Sequence, residues 1–398
     1  MVSSSDLIYY FSLLGCISLG GYYKDIEDPA TKRSYGTGLG ILVICMICWQ
    51  FIHHSILMVW GNIVIIKCCK KLYIHHLSLA YTWLYLIYLH SNIDVSSNYA
   101  NYVLWIHQAI ALRLVGLAFE ITMAEKSRRL PTGSLSTLPK INEKIMGELA
   151  SEPLEPSVLD VISYAFFFIG LHKGPYYRWK TFNEHFNVPF GMLGNWRIIT
   201  VQKLKKAFAF GVLFVVLTLL FPDEVYYQNG FYYNHGTDYR YLYNITQIII
   251  YALEYQILMS LCTSVCTEAG FGLYPAKMQA VPGYGPTTGW SMLQISTVWD
   301  EVALSHEYNF AMLKTFENEK LLMGPRLSDT LRGWDMSTRF WFRTYTYHNM
   351  IRANKDVRCV FDKKRAIVSG MGGVVRLHHS KNNYLQHYVG PCPTRTRI

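Results

Sequence analysis

Near the end of the sequence, RGWDMSTRFWFRTYTYH (332–348) sets one carboxylate, Asp335, among three arginines and a run of aromatic residues. A carboxylate in that position can orient a polar substrate or move a proton. It can equally cap a helix beginning at Met336 or pair with Arg339, four positions on. Three more ionisable residues stand inside apolar runs. Arg113 and Glu120 bracket ALRLVGLAFE, and Glu254 lies within IIIYALEYQIL. Charged groups in such runs face a bundle interior or a wet cavity, which predicts an enclosed site or polar pathway. The plainer use is mutual pairing near the ends of membrane spans.

A second group of chemically capable residues is GPYYRWKTFNEHF (174–186), where rings and cations interleave. Such a mixture suits the headgroup zone, since rings are stable there and cations meet phosphates. It predicts an interfacial aromatic belt or the wall of a lipid-headgroup site. Other chemistries are excluded by pattern. No phosphate-binding glycine loop, nucleophile elbow or His-Glu-x-x-His helix occurs. The histidine pairs 53/54, 75/76 and 378/379 are adjacent, so on a helix they diverge by about 100° and make poor joint metal ligands. Nine cysteines form no recognisable framework, and Cys45 and Cys48 lie in an apolar run without polar ligands.

The elements that must position these residues are membrane helices. Apolar residues make up 51% of the 398 and charged residues 16%, against roughly 25% charged in an ordinary soluble domain. With about 20 residues per crossing, candidate spans run from Leu7 to Tyr23, Tyr73 to His90, Tyr102 to Ile121 and Lys205 to Phe221. Gly38 to Ile66 is too long for one crossing and is expected to break at His53 and His54. Val158 to Leu171 is short, and Leu242 to Leu273 can hold one long helix or two broken ones. Ala124 to Pro156 is a polar loop. The excess of 37 Lys+Arg over 27 Asp+Glu clusters beside apolar blocks, as in Lys67-Cys-Cys-Lys70-Lys71. That placement fits membrane orientation and anionic lipid rather than nucleic acid. The fold class expected is all-α, a polytopic transmembrane helix bundle with interfacial and re-entrant helices.

Four stretches resemble, in order, the membrane-bound O-acyltransferases: ALRLVGLAFE (111–120), SYAFFFIGLHKGPYYRWKTF (163–182), CTEAGFGLYPAKMQAVPGYGPT (266–287) and RGWDMSTRFWFRTYTY (332–347). GPYYRWKTF and AGFGLYPAKMQA are most similar to the branch that acylates lysophosphatidylinositol. The resemblance spans roughly residues 1–357 and implies a helix bundle around a tunnel. There acyl-CoA, as co-substrate, meets a lysophospholipid at a buried Asn and His, in the endoplasmic reticulum membrane. A polyunsaturated acyl chain is the expected cargo, and no metal or tightly held cofactor is implied. Membrane lipids are the remaining partners, and protein partners are not indicated. Carried onto this sequence, the resemblance puts Asp335 at the catalytic Asn position. It makes Trp334, Arg339, Tyr176, Tyr177, Arg178, Lys180 and Arg113 substrate-binding candidates.

Two departures from the family pattern stand out. An amide donates two hydrogen bonds whereas an ionised carboxylate only accepts, so Asp335 is not equivalent to Asn. After Arg358 the residues become basic and lack an apolar segment with a Trp-His-Gly tract. Residues 358–398 are therefore expected to form an atypical, disordered tail that replaces the part bearing the family's His, as an altered exon or a shifted reading frame would produce. His378 and His379 lack the apolar setting and receive no catalytic role. Together the departures predict low or no turnover, with a non-catalytic lipid-binding or scaffold protein as the alternative. A transporter using Arg113, Glu120 and Glu254 as a pathway is a third and weaker reading.

Overall fold

The computed structural model describes residues 4–93, 98–129, 154–187, 195–226, 231–287 and 307–347. They build an all-α membrane helix bundle. Its helices are α1 (Ser4–Lys24), α2 (Pro29–Ile47), α3 (Ile52–Cys68), α4 (Ile74–Asn92), α5 (Asn98–Arg129), α6 (Val158–Phe166), α7 (Trp179–Asn187), α8 (Trp196–Leu220) and α9 (Thr237–Glu268). Short helices α10 (Asn318–Met323), α11 (Leu327–Gly333) and α12 (Met336–Trp341) follow. Strands β1 (Tyr274–Pro275) and β2 (Tyr308–Asn309) pair antiparallel between α9 and α10.

Four described helical stretches have the length and apolarity to cross a membrane: Trp49–Cys68, Tyr99–Arg129, Trp196–Val225 and Thr237–Glu268. They play different parts. The stretch through α5 is buried over 89% of its apolar window and forms the axis of the bundle, whereas that through α8 is buried over only 6%. Phe208 and Leu219 on α8 are 75% and 77% exposed. An apolar helix with so little protein cover is one whose solvent is lipid.

Local sequence explains where helices start and how they bind one another. Asp28 caps α2 by accepting a hydrogen bond from Thr31 N (2.8 Å), ahead of Pro29 in the first turn. Ser157 and Asp160 make a reciprocal capping box at α6, which satisfies two orphan amides at once. Within the bundle, side-chain amides and hydroxyls join helices. Asn62 on α3 donates to Thr82 (3.0 Å) and accepts from Ser78 (2.5 Å), both on α4, the polar pairing expected where no water competes.

The long apolar stretch from Gly38 breaks earlier than expected. A 3-10 turn at Trp49–Phe51 separates α2 from α3, and His53 and His54 lie inside the first turn of α3. His54 Nδ1 lies 2.8 Å from the Tyr85 hydroxyl of α4, so the imidazole has a polar partner within the bundle and needs no break. The second ambiguous stretch is one continuous helix, α9. The loop expected from Ala124 to Pro156 begins later than expected, because α5 continues to Arg129; residues 130–153, the expected tail at 358–398, and His378 and His379 lie outside the described residues.

α2 crosses the end of α6 at very close range. The Phe168 amide donates to Gly36 O (3.2 Å), and a Cβ on Gly40 would be driven into the carbonyl of Phe166. Gly38 has open space around it. Gly40→Leu is therefore expected to separate α2 from α6, at an overpacking cost of about 1–3 kcal/mol or more. Gly38→Ala should be tolerated. Fluorescence-detected size exclusion of detergent-solubilised protein should show a lost monodisperse peak for the first variant and an unchanged one for the second.

Candidate active site

α6 ends at Phe166, and its last carbonyls have no helical partner. Arg113, buried on α5, supplies the donors. Its guanidinium donates to the carbonyls of Tyr164 (3.1 Å), Ala165 (3.2 Å), Phe167 (2.8 Å) and Ile169. The ring of Tyr177 lies beneath it at 5.0 Å, and the Tyr177 hydroxyl donates to Ile169 O (2.9 Å). Tyr164 returns a bond to Tyr177 O (2.7 Å). The chain between α6 and α7 is thereby folded back on itself, with Lys173 at its turn.

One heptad along α5, Glu120 faces Arg178 from the same loop. Both are almost wholly buried, with Nε and Oε1 3.7 Å apart. Glu120 Oε1 also accepts from Trp179 N and the Tyr345 hydroxyl, each at 3.2 Å. The Arg178 guanidinium lies 4.7 Å from the Tyr284 ring. Arg113 and Glu120 thus have separate partners instead of each other. A buried charge needs a counter-charge and hydrogen bonds, and here the two arginines and the glutamate fix one loop against the central helix.

Asp335 occupies the residue before α12, in the left-handed region at φ 34 and ψ 69. Asp tolerates that conformation better than most side chains. Oδ1 caps α12, accepting from Thr338 N and Ser337 Oγ, both at 3.2 Å. Oδ2 accepts from the Tyr255 hydroxyl of α9 at 2.9 Å. The expected cap is present. The expected partner Arg339 instead donates to Arg332 O (3.1 Å), and Arg332 pairs with Asp329 (3.3 Å). After α12 the chain continues as a π-helical turn, Phe342–Tyr347, a conformation that recurs at functional sites.

Asp335 opens onto a cavity of about 170 Å³ between α4, α5, α9 and α12. Trp105, Tyr251, Tyr255 and Trp341 give it aromatic walls, while Lys173 and His90 add polar groups. Lys173 Nζ rests 3.6 Å from the Trp105 ring centroid and 5.3 Å from that of Tyr255. It lies on the loop between α6 and α7, outside the spanning helices. Burial pulls its ammonium down to about 7, against the opposing attraction of Asp335. The arrangement joins an amine, a carboxylate and an apolar chamber, which suits a reaction between a polar acceptor and a hydrophobic chain.

The sequence-derived residues separate into three groups. Asp335 lines the cavity, and Trp334 stacks on the lining residue Tyr255 with centroids 5.0 Å apart. Tyr176 joins them through its amide, which donates to Ser337 Oγ (3.3 Å). Arg113, Tyr177 and Arg178 are buried behind the cavity and hold the loop. Lys180 lies near Glu184 (3.9 Å), and Arg339 is placed by the carbonyl of Arg332. The segment 176–179 is thus interior rather than an interfacial belt, because Glu120 faces its one cation, Arg178. Sequence reasoning missed Lys173, Tyr251 and Tyr255. Glu254 drew attention as the charge in an apolar run, yet it lies on the exposed face of α9. Tyr251 and Tyr255 share the inward face at i and i+4, a spacing visible in the sequence.

No protein-family model matches the chain. Curated proteins do. It is 26% identical over 353 residues to the membrane-bound acylglycerophosphatidylinositol O-acyltransferase of Xenopus laevis, covering 87% of this chain and 71% of that protein. The Drosophila melanogaster protein of the same name matches at 26% over 87% of this chain and 70% of its own. The Homo sapiens one matches at 26% over 87% and 71%. Over most of its length the chain is thus similar to membrane-bound O-acyltransferases. Those relatives are named O-acyltransferases, and Asp335 of this chain lines the cavity between α4, α5, α9 and α12.

Asn caps helices as well as Asp does and also adopts the left-handed conformation. Asp335→Asn should therefore keep the cap and lose only the acceptor of the Tyr255 hydroxyl, whereas Asp335→Ala should cost about 0.5–2 kcal/mol more for the lost cap. Equal melting of the two variants would remove the capping role.

Proposed function

We propose that the protein transfers a polyunsaturated acyl group from acyl-CoA to the free hydroxyl of lysophosphatidylinositol, as a multi-pass enzyme of the endoplasmic reticulum membrane. The observation that carries this reading is the agreement among its relatives. Vertebrate and insect proteins matching 87% of the chain share the name acylglycerophosphatidylinositol O-acyltransferase. The chemistry of the cavity supports it. An acyl chain needs an apolar, water-poor chamber, both as solvent and to protect the thioester from hydrolysis. A polar acceptor needs charged and hydrogen-bonding groups in the chamber wall, and Asp335, Tyr255 and Lys173 line it.

One observation favours the second reading, a non-catalytic lipid-binding relative. Both oxygens of Asp335 are already engaged, by Tyr255, Ser337 and the Thr338 amide. A carboxylate with that role needs no substrate to explain it. The low turnover expected from the sequence rested on the Asp-for-Asn exchange and on the lack of a recognisable His. Lys173, which that expectation did not count, lines the same cavity.

The readings part in membranes expressing this chain in a host without the endogenous activity. Labelled arachidonoyl-CoA would be supplied with lysophosphatidylinositol, and in parallel with lysophosphatidylserine and lysophosphatidylcholine. Transfer above the empty-vector control, greatest with the inositol lipid, is expected. Background transfer to all three acceptors by inserted, monodisperse protein would establish the non-catalytic reading instead.

A further inference from the structure

We propose that one end of the bundle, where α3 ends, α4 begins and α5 ends, is a docking surface for the anionic headgroups of bilayer phospholipids. The inference stands apart from the acyltransferase reading, since none of the cations of this surface lines the cavity at Asp335.

Six cations meet there. Lys67 stands in the last turn of α3, Lys70 and Lys71 in the turn that leads to α4, and Lys126, Arg128 and Arg129 in the last turn of α5. Packing joins the two groups into one patch. The Thr122 hydroxyl of α5 donates to Lys71 O (2.9 Å), and Lys126 lies within electrostatic reach of His75 and His76 in the first turn of α4. Two carboxylates offset part of the charge. Glu125 pairs with Arg129 (2.7 Å) and lies 3.8 Å from Arg128, while Glu155 pairs with Lys71. Lys67 is held by donating to Pro156 O (2.9 Å). Lys70 is exposed, and among the described residues no ion pair or hydrogen bond engages its ammonium. The patch therefore keeps an excess of positive charge, with Lys70 at its most accessible point.

Position decides which anion fits. The membrane-length stretches Trp49–Cys68 and Tyr99–Arg129 both end in the patch, so its cations stand where hydrocarbon gives way to headgroups. The helices that lead to it face lipid: Ile56, Trp60 and Val64 on α3 and Leu77 and Leu84 on α4 are exposed. A phosphate that arrives along those faces is one carried by a lipid. Lysine and arginine suit this place, because their stems can lie on apolar surface while the charge reaches outward. Tyr73, exposed in the same turn, adds a ring of the kind enriched at the membrane interface. A rim of cations beside membrane helices also marks the cytoplasmic side, where the leaflet carries anionic lipid.

The test uses the full chain in detergent, titrated with phosphatidylserine or phosphatidylcholine and read by native mass spectrometry, which gives a dissociation constant for each successive lipid. The unmodified chain is expected to bind phosphatidylserine more tightly. That preference should shrink as salt rises from about 0.1 M to about 1 M, where the screening length falls from about 10 Å to about 3 Å. Lys70→Gln should weaken phosphatidylserine binding about fivefold, the contribution of one cation near an anionic surface. The triple variant Lys70→Gln/Arg128→Gln/Arg129→Gln should bind the two lipids alike. Glu155→Gln, which releases Lys71, should tighten phosphatidylserine binding, a gain that a merely structural role for the patch does not give. Equal affinity of the unmodified chain for both lipids would overturn the proposal. An equal loss in Lys205→Gln, an exposed cation on α8, would overturn it too, leaving net charge alone as the cause. Displacement of phosphatidylserine by inorganic phosphate at equal ionic strength would overturn a bilayer lipid as the occupant. If the triple variant does not fold, Glu155→Gln still decides, since unchanged or weaker binding there would overturn the patch.

Discussion

One buried guanidinium organises the site. Arg113 sits on the central helix and faces a helix that stops halfway, leaving carbonyls that water cannot reach. In an interior of low dielectric an unpaired carbonyl is costly and a charged donor is strongly held. The guanidinium and the broken helix therefore stabilise each other, and neither would be tolerable alone. From this contact the loop to Lys173 turns back, Tyr177 slides beneath Arg113, and Arg178 is brought to Glu120. Removing the guanidinium would leave several carbonyls without donors, each costing about 1–3 kcal/mol.

The same logic separates holding from reacting. Arg113, Arg178 and Glu120 are engaged by protein groups, although Glu120 Oε2 has no hydrogen-bond partner among the described residues, and their charges stabilise one geometry. Lys173 and Asp335 differ in that they border empty, mostly aromatic space. They approach it from two pieces of irregular backbone, the loop after α6 and the left-handed residue before α12. Trp341 closes the arrangement by donating from Nε1 to Leu112 O on α5 at 2.9 Å. The central helix therefore positions both irregular segments, one through Arg113 and one through that carbonyl.

Much of this was readable from the sequence, for identifiable reasons. Apolar blocks near the length of a bilayer crossing made the helices visible, and the order of four motifs pointed to the family. Asp335 was visible as a lone carboxylate beside a helix start, and its capping bond is local. What stayed hidden depends on three-dimensional compensation. The cations of 174–182 read as interfacial because a sequence does not show that Glu120 awaits Arg178 and Glu184 lies near Lys180. Lys173 drew no attention, since nothing local reveals the Trp105 ring under its ammonium. The break before α3 was placed at the wrong residues because polarity was taken for disruption, whereas His54 meets a tyrosine on the neighbouring helix.

The measurement that tests the placement of the reaction most directly is photo-crosslinking with a lysophosphatidylinositol carrying a diazirine in its acyl chain. The labelled peptides would be mapped by mass spectrometry on the full chain in membranes. A reaction centre in the cavity predicts label on the inward face of α9 at Tyr251 and Tyr255 and around Trp105, reduced by competing unlabelled lysolipid. Label confined to lipid-facing positions such as Phe208 and Leu219, and indifferent to competitor, would contradict it.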